Sequence, residues 1–168
     1  SRDRFGEKPL YLLHDETGVY FASEIKCLAA LSGKRFSVNQ EQVLRFLVNG
    51  YRSLYKTGQT FFHEVSELGA SRFALVSPEG NCTERAYWTP ELNVDESMTL
   101  EQAIQGARQA IIDSVKLRLR ADVPLAFCMS GGVDSNSMIS VARRVFNYDV
   151  HGFTIVEKDW RYDEKDMV

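Results

Sequence analysis

The sequence predicts an α/β protein built in two parts, an antiparallel first half followed by a parallel strand–helix–strand unit. Three observations point to it. Two apolar runs, residues 9–14 and 19–22, flank the turn-rich tetrapeptide Asp15-Glu16-Thr17-Gly18, the pattern of a hairpin. A polar, acidic stretch over residues 91–98 interrupts the periodic sequence and reads as a linker. Beyond it, the apolar run Val123-Pro124-Leu125-Ala126-Phe127-Cys128-Met129 leads into a glycine loop, then into a segment with helical spacing of apolar residues.

Taken in order, Ser23 can cap a helix from Glu24 to Leu31 that Gly33 ends. Asn39 can cap a second helix whose buried face would be Val43, Leu44, Leu47 and Val48. Residues 51–69 are less regular, with a helical turn expected at 62–65. Residues 71–77 and 82–88 form a hairpin around Pro78-Glu79-Gly80-Asn81, and Pro90 breaks the sheet pattern. After the linker, Thr99 and Gln102 make a capping box for a long helix to about Arg120. Its apolar face is Leu100, Ala103, Ile104, Ala107, Ile111, Val115 and Leu119. Lys116, Arg118 and Arg120 lie in its last turns, where cations complement the helix dipole. Strand 123–129, helix 135–146 and strand 150–156 then imply a parallel pair with a right-handed crossover. The helix should bury Met138, Ile139, Val141, Ala142, Val145 and Phe146. Ligands of such units bind at the carboxyl ends of the strands, where the loop lies.

That loop, Ser130-Gly131-Gly132-Val133-Asp134-Ser135, is the most informative segment of the chain. Two glycines allow a sharp turn and a close backbone approach. The following helix offers unpaired N–H groups and the positive end of its dipole, and two serines add hydroxyls. The set suits a phosphate or pyrophosphate. Asp134 repels an anion, so its presence calls for a cation, and Mg²⁺ riding on phosphates is commonly held by one carboxylate. Against this stands the ordinary use of Gly-Gly in turns and of Asp or Ser as helix caps. Neither a Gly-x-x-x-x-Gly-Lys-Ser/Thr nor a Gly-x-Gly-x-x-Gly phosphate loop occurs in the sequence.

A net charge of −3 argues against a general nucleic-acid binder, and no apolar run reaches the roughly 20 residues of a membrane span. The odd count of three cysteines, with no Cys-x-x-Cys, argues against a disulfide scaffold or zinc site. Cys27 and Cys128 read as small buried hydrophobes. A reducing cytoplasm is the expected compartment, where the sequon Asn81-Cys82-Thr83 carries no meaning. His14, His63 and His151 are scattered and read as packing or surface residues.

The loop resembles the pyrophosphate loop of the ATP pyrophosphatase superfamily. Its surroundings narrow the likeness. Leu119-Arg120-Ala121-Asp122-Val123-Pro124 precedes it, and Phe153-Thr154-Ile155-Val156 and Tyr162-Asp163-Glu164 follow. These resemble the start of the synthetase domain of glutamine-hydrolysing asparagine synthetases. Residues 2–11 (Arg2-Asp3-Arg4-Phe5-Gly6-Glu7-Lys8-Pro9-Leu10-Tyr11) and 21–26 (Phe21-Ala22-Ser23-Glu24-Ile25-Lys26) resemble the closing part of that family's Ntn-type glutaminase sandwich, and Tyr87-Trp88-x-Pro90 the junction between the two. The resemblance therefore implies the C-terminal part of a glutamine amidotransferase domain over 1–90, a linker over 91–98 and the N-terminal part of a synthetase domain over 99–168. It implies ATP and Mg²⁺ as cofactors, and glutamine and aspartate, or another carboxylate such as a sugar acid, as substrates. The pyrophosphate would lie on Ser130, Gly131, Gly132, Val133 and Ser135, with Asp134 on the metal and Cys128, Met129 and Ile155 flanking the adenosine. Core packing is the competing explanation for those three apolar residues. A non-catalytic nucleotide-binding module is the alternative from another functional class.

Asp163 and Glu164 would lie near the metal or cap a following helix, and Arg2 and Asp3 would form a structural ion pair. No catalytic residue of the family is expected within the chain. Its amino-terminal cysteine would precede Ser1, and its later metal carboxylate and lysine would follow Val168. The chain reads as a fragment that by itself makes no amides. Uncovered apolar surface would favour self-association, a homodimer in the simplest case.

Overall fold

The computed structural model of the chain describes residues 1–51 and 57–156. It divides into two compact units, residues 1–92 and 93–168. The expected α/β class holds, with helices and small sheets in both units.

The first unit is built on a three-stranded antiparallel sheet ordered β2-β1-β3, with β1 at Tyr11–Asp15, β2 at Gly18–Ala22 and β3 at Val65–Glu67. The expected hairpin forms in full: Tyr11 faces Ala22 and Asp15 faces Gly18. Asp15 Oδ1 closes the turn by accepting from the Thr17 N–H at 2.7 Å, and its other oxygen meets Lys34 Nζ at 2.5 Å. With Lys34 first and Thr17 next, these partners hold the Asp15 carboxyl far below the usual carboxylate range.

Helix α1 (Ile25–Ser32) covers this sheet. Leu13, Leu28 and Val65 form the core, with Tyr11, Tyr20, Ala22, Ile25, Phe36 and Phe62 against it. Gly33 ends α1 in the left-handed conformation, φ 68°, and its N–H bonds the Ala29 carbonyl, as expected of a glycine C-cap. Ser23 does not cap it. The N-cap is Glu24, and no side chain bonds there.

Helix α2 (Gln40–Asn49) is capped by Asn39, whose side chain accepts from the Gln42 N–H at 3.1 Å. The expected buried face is not the one found. Leu44, Leu47 and Val48 are exposed, Val43 is half-buried, and the buried side chain is Gln42. Spacing identifies the apolar stripe of a helix but not whether a neighbour covers it, and among the described residues none covers this one.

The turn expected at 62–65 forms as a single hydrogen-bonded turn and leads directly into β3. Val65 N–H bonds the Phe62 carbonyl at 3.4 Å, and the strand then pairs with β1, Leu13 facing Val65. Three residues are too few to show an alternation in the sequence. The last hairpin of the unit, β4 (Arg72–Val76) with β5 (Cys82–Ala86), forms as expected around residues 77–81.

Arg2 and Asp3 do not pair with each other. The Arg2 guanidinium, almost buried, bonds the carbonyls of Leu68 (2.6 Å), Gly6 (2.8 Å) and Lys8 (2.9 Å) and the Glu67 carboxylate (2.8 Å). Asp3 accepts from the N–H groups of Phe5, Glu7 and Lys8. Each has separate partners, Arg2 among carbonyls and the Glu67 carboxylate, Asp3 among N–H groups of the turn that follows it. Tyr87 Oη donates to the Arg2 carbonyl at 2.7 Å, while Phe5 packs edge-on against Trp88 and Arg4 lies over its ring. The 87–88 segment is thereby tied to the opening residues.

In the second unit, α3 (Leu100–Arg118) carries the expected capping box, both arms of the Thr99–Gln102 pair being formed. Of its apolar face only Val115 is buried and Leu119 half-buried; Leu100, Ala103, Ile104, Ala107 and Ile111 are exposed. It meets α4 (Val133–Arg144), whose Ala142 is fully buried. Ile139, Val141 and Phe146 are half-buried, while Met138 and Val145 are exposed.

Strands β6 (Ala126–Cys128) and β7 (His151–Phe153) pair in parallel, Phe127 facing Gly152. Both are shorter than the apolar runs that contain them. Each has a single neighbouring strand among the described residues, and Val123, Ile155 and Val156 are exposed beyond the pairing. Cys128, like Cys27, is exposed rather than a buried small hydrophobe. No helix among the described residues is long and apolar enough to cross a membrane.

Candidate functional site

Loop 130–135 leaves β6 and enters α4, at the carboxyl end of a parallel strand. Its base is fixed by the sheet: the Met129 N–H donates to the Phe153 carbonyl at 2.8 Å. Met129 also lies over Gly152 so closely that a β-carbon there would overlap its sulfur. Gly131 then turns the chain with φ 70°, a conformation that glycine adopts without a steric penalty. Gly132 is the N-cap of α4, with no side chain closing the helix end.

Those geometries leave the loop's donors open. Among the described residues no hydrogen bond engages the backbone N–H of any residue from Ser130 to Ser135. The first helical bond of α4 belongs to Asn136, whose N–H donates to the Gly132 carbonyl at 3.1 Å. The two serine hydroxyls meet at 3.2 Å across the loop, and Ser135 Oγ donates to the Gly132 carbonyl at 3.1 Å. The carbonyls of Gly131 and Gly132, by contrast, are in use: the Asn136 amide donates to that of Gly131 at 3.2 Å. A loop whose N–H groups have no partner among the described residues and whose Gly131 and Gly132 carbonyls are bonded is complementary to an anion.

Asp134 sits in the first turn of α4, exposed, and forms no side-chain cap. The capping explanation for this residue is therefore not realised, although its charge still complements the helix dipole. Among the described residues no group of three or more His, Cys, Asp or Glu converges on a metal position. A cation here would rest on Asp134 and on oxygens of the anion itself.

Of the apolar residues expected beside this loop, Met129 is half-buried at its base and Cys128 is exposed at the end of β6. Ile155 is exposed and lies beyond β7 rather than on it. Core packing does not account for Cys128 or Ile155 in this unit. Asp163 and Glu164 lie outside the described residues. His14, His63 and His151 are all exposed and contribute nothing to the loop. Sequence reasoning missed Asn136; an amide side chain one residue after a Ser-Gly-Gly-x-Asp-Ser loop was the available signal.

Comparison with known proteins places both halves. Residues 1–88 match a family described as a glutamine amidotransferase domain, and residues 106–168 match one described as asparagine synthase. The chain is 29% identical over 168 residues to asparagine synthetase [glutamine-hydrolyzing] 1 of Bacillus subtilis, covering 99% of the chain and 26% of that protein. It is 30% identical over 171 residues to a putative asparagine synthetase [glutamine-hydrolyzing] 2 of Methanocaldococcus jannaschii, covering 98% and 32%. It is 31% identical over 141 residues to the amidase chyE of Penicillium rubens, covering 82% and 20%. The chain thus spans a fifth to a third of the length of these relatives. With 88 of its 168 residues in the amidotransferase match and the asparagine synthase match after it, the chain belongs to the glutamine-dependent asparagine synthetase family.

Proposed function

We propose that this chain is part of an ATP-dependent, glutamine-hydrolysing, amide-forming ligase, most simply an asparagine synthetase. Residues 1–90 would close its glutamine amidotransferase domain, 91–98 link the domains, and 99–168 open its synthetase domain. The observation that carries the reading is the row of unengaged N–H groups over residues 130–135, beside two hydroxyls and a carboxylate.

In the proposed reaction the acceptor carboxylate attacks the α-phosphorus of ATP. An acyl-adenylate forms and pyrophosphate leaves. Ammonia from glutamine then attacks the acyl carbon, and AMP departs as the amide forms. Negative charge gathers on the departing pyrophosphate, so donors fixed in advance at that position favour the transition state. The N–H groups of Ser130, Gly131, Gly132, Val133 and Ser135 would receive it, and Gly131, at φ 70°, lets the chain bend around it. Asp134 would hold Mg²⁺, which supplies charge neutralisation on the phosphates when bound. Met129, Cys128 and Ile155 would flank the adenosine.

A second reading changes the acceptor alone. A carboxylate other than aspartate, such as a sugar acid, would react on the same adenylating frame.

The test is Asp134→Asn in the full-length protein. Without metal, removal of a like charge should tighten pyrophosphate binding. With Mg²⁺, loss of a metal ligand should slow ATP–pyrophosphate exchange by about 10²–10³-fold. Asn substitutes well for Asp as a local structural residue, so a purely structural Asp134 would leave both measurements near wild type. Shifts in the same direction, or no shift, would overturn the metal role.

A further inference from the structure

We infer that Asn136 is a positioning residue for loop 130–135: its side-chain amide holds the Gly131–Gly132 peptide in the orientation that presents an N–H, not a carbonyl, to the bound anion. This rests on the pyrophosphate reading of the loop.

The peptide between two glycines is the least restrained in the loop. In a trans peptide the C=O and N–H point in opposite directions, and the chain contains no cis bond among the described residues. Fixing the Gly131 carbonyl therefore fixes where the Gly132 N–H points. Asn136 Nδ2 donates to that carbonyl at 3.2 Å, so the Gly132 N–H is turned away from α4, toward the side an anion would occupy. Among the described residues no other donor bonds the Gly131 carbonyl. The Ser135 hydroxyl and the Asn136 N–H both go to the Gly132 carbonyl, which belongs to the next peptide.

Consider the alternative state. A half-turn of the Gly131–Gly132 peptide carries Gly132 from φ −71° into the positive region, which a glycine tolerates and other residues avoid. The flipped peptide would aim a carbonyl oxygen at the anion. Nothing steric forbids the flip, because neither flanking residue has a side chain. The Asn136 bond opposes it. Asn136 is not the helix cap, a position Gly132 holds, so capping does not explain the contact.

The consequence is specific. A ligand that selects the unflipped state binds more weakly in proportion to how seldom that state is populated, but loses nothing once bound. In the full-length protein, Asn136→Ala should raise the KM for ATP about three- to tenfold, the worth of one ordinary hydrogen bond. At saturating ATP, kcat should stay within about twofold, and the KM for glutamine should not move. Gly132→Ala supplies the second arm. Alanine fits the observed φ, and its β-carbon would meet only the rotatable Ser130 hydroxyl at 3.3 Å. It disfavours the flipped state without touching Asn136. In that background Asn136→Ala should cost less than half of what it costs alone.

Pyrophosphate affinity with Mg²⁺, measured below the melting transition of every variant, reads the same cycle without turnover. No pyrophosphate binding by the wild-type protein would overturn the site reading and this inference with it. Wild-type binding with an unchanged Asn136→Ala variant would overturn the positioning role alone. A loss in kcat rather than KM, or an equal cost in both backgrounds, would do the same.

Discussion

The Arg2 cluster and loop 130–135 both gather polar groups around backbone turns, and they treat those groups in opposite ways. Around Arg2 the donors and acceptors are matched: one guanidinium serves three carbonyls and the Glu67 carboxylate, and Asp3 serves three N–H groups. In the loop, the carbonyls of Gly131 and Gly132 are bonded, while the N–H groups from Ser130 to Ser135 have no partner among the described residues. A saturated cluster has nothing left to offer a ligand and acts as scaffold. A cluster satisfied on one polarity and open on the other is prepared for a ligand of the opposite charge.

The largest expected effect tests the scaffold side. Arg2→Ala removes a cation from a pair whose side chains are 9% and 13% exposed and leaves Glu67 without that counter-charge. Breaking a nearly buried pair on one side costs about 3–5 kcal/mol. Arg2→Lys should recover part of this, because an ammonium can reach Glu67 but lacks the planar fork that spans several carbonyls. Urea unfolding followed at Trp88, which stacks beside Arg4 and Phe5, should report the loss. A near-neutral Arg2→Ala would mean that the cluster is not what holds these turns, and the contrast with the loop would fail.

The two clusters were unequally legible in the sequence. The loop announces itself because its chemistry is local: glycines, hydroxyls and a carboxylate within six residues, between a strand and a helix. Caps were legible for the same reason, as Asn39, Gly33 and the Thr99–Gln102 box show. The Arg2 cluster joins residues 2, 67 and 68, and a separation of this kind leaves no pattern along the chain. Strand β3 was missed because its identity comes from pairing with β1. The sequence marks the apolar stripes of α2 and α4, but Leu44, Leu47, Val48, Met138 and Val145, expected to be buried, are exposed, since burial depends on a covering neighbour. Asn136 was overlooked because its role depends on which way one peptide plane faces.

A middle-sized effect tests how firmly the loop is anchored. Gly152→Ala would ordinarily favour a strand, because glycine is a poor strand residue. Here the new β-carbon overlaps the Met129 sulfur, at the last position before the loop. Overpacking of this kind typically costs about 1–3 kcal/mol, so the substitution should destabilise the second unit and raise the KM for ATP. Met129→Ala should relieve the clash, making the double variant more stable than Gly152→Ala alone. A thermal shift assay on the three variants decides it. If Gly152→Ala stabilises instead, Met129 moves aside freely and the loop's base is not rigid.

The smallest effect is an asymmetry in acid sensitivity. In the first unit, several carboxyls are held below their ordinary values. Asp3 is lowered by the N–H groups of Lys8 and Glu7, Asp15 by Lys34 and then Thr17, Glu64 by the Ser37 hydroxyl, and Glu79 by Ser77. In the described part of the second unit, Asp95 is lowered, by Ser97. A carboxyl whose folded value lies below its unfolded one contributes stability that is present above the unfolded value and lost as pH falls through the folded one. The first unit should therefore weaken below about pH 4 while the second is less affected. Apart from Asp15, whose side chain is 10% exposed, the groups lie at the surface, so the effect is modest and should shrink further in high salt. Asp3 links this to the scaffold: its bonds shape the turn that supplies the Gly6 and Lys8 carbonyls to Arg2. Asp3→Asn should accordingly flatten the acid limb of the first unit's stability, since the side chain then has no proton to gain. Fluorescence of Trp88 against pH, in wild type and Asp3→Asn at low and high salt, measures it. If the variant keeps the full acid limb, protonation of Asp3 is not what loosens the Arg2 cluster, and the saturated side of the comparison is held by its uncharged carbonyl bonds instead.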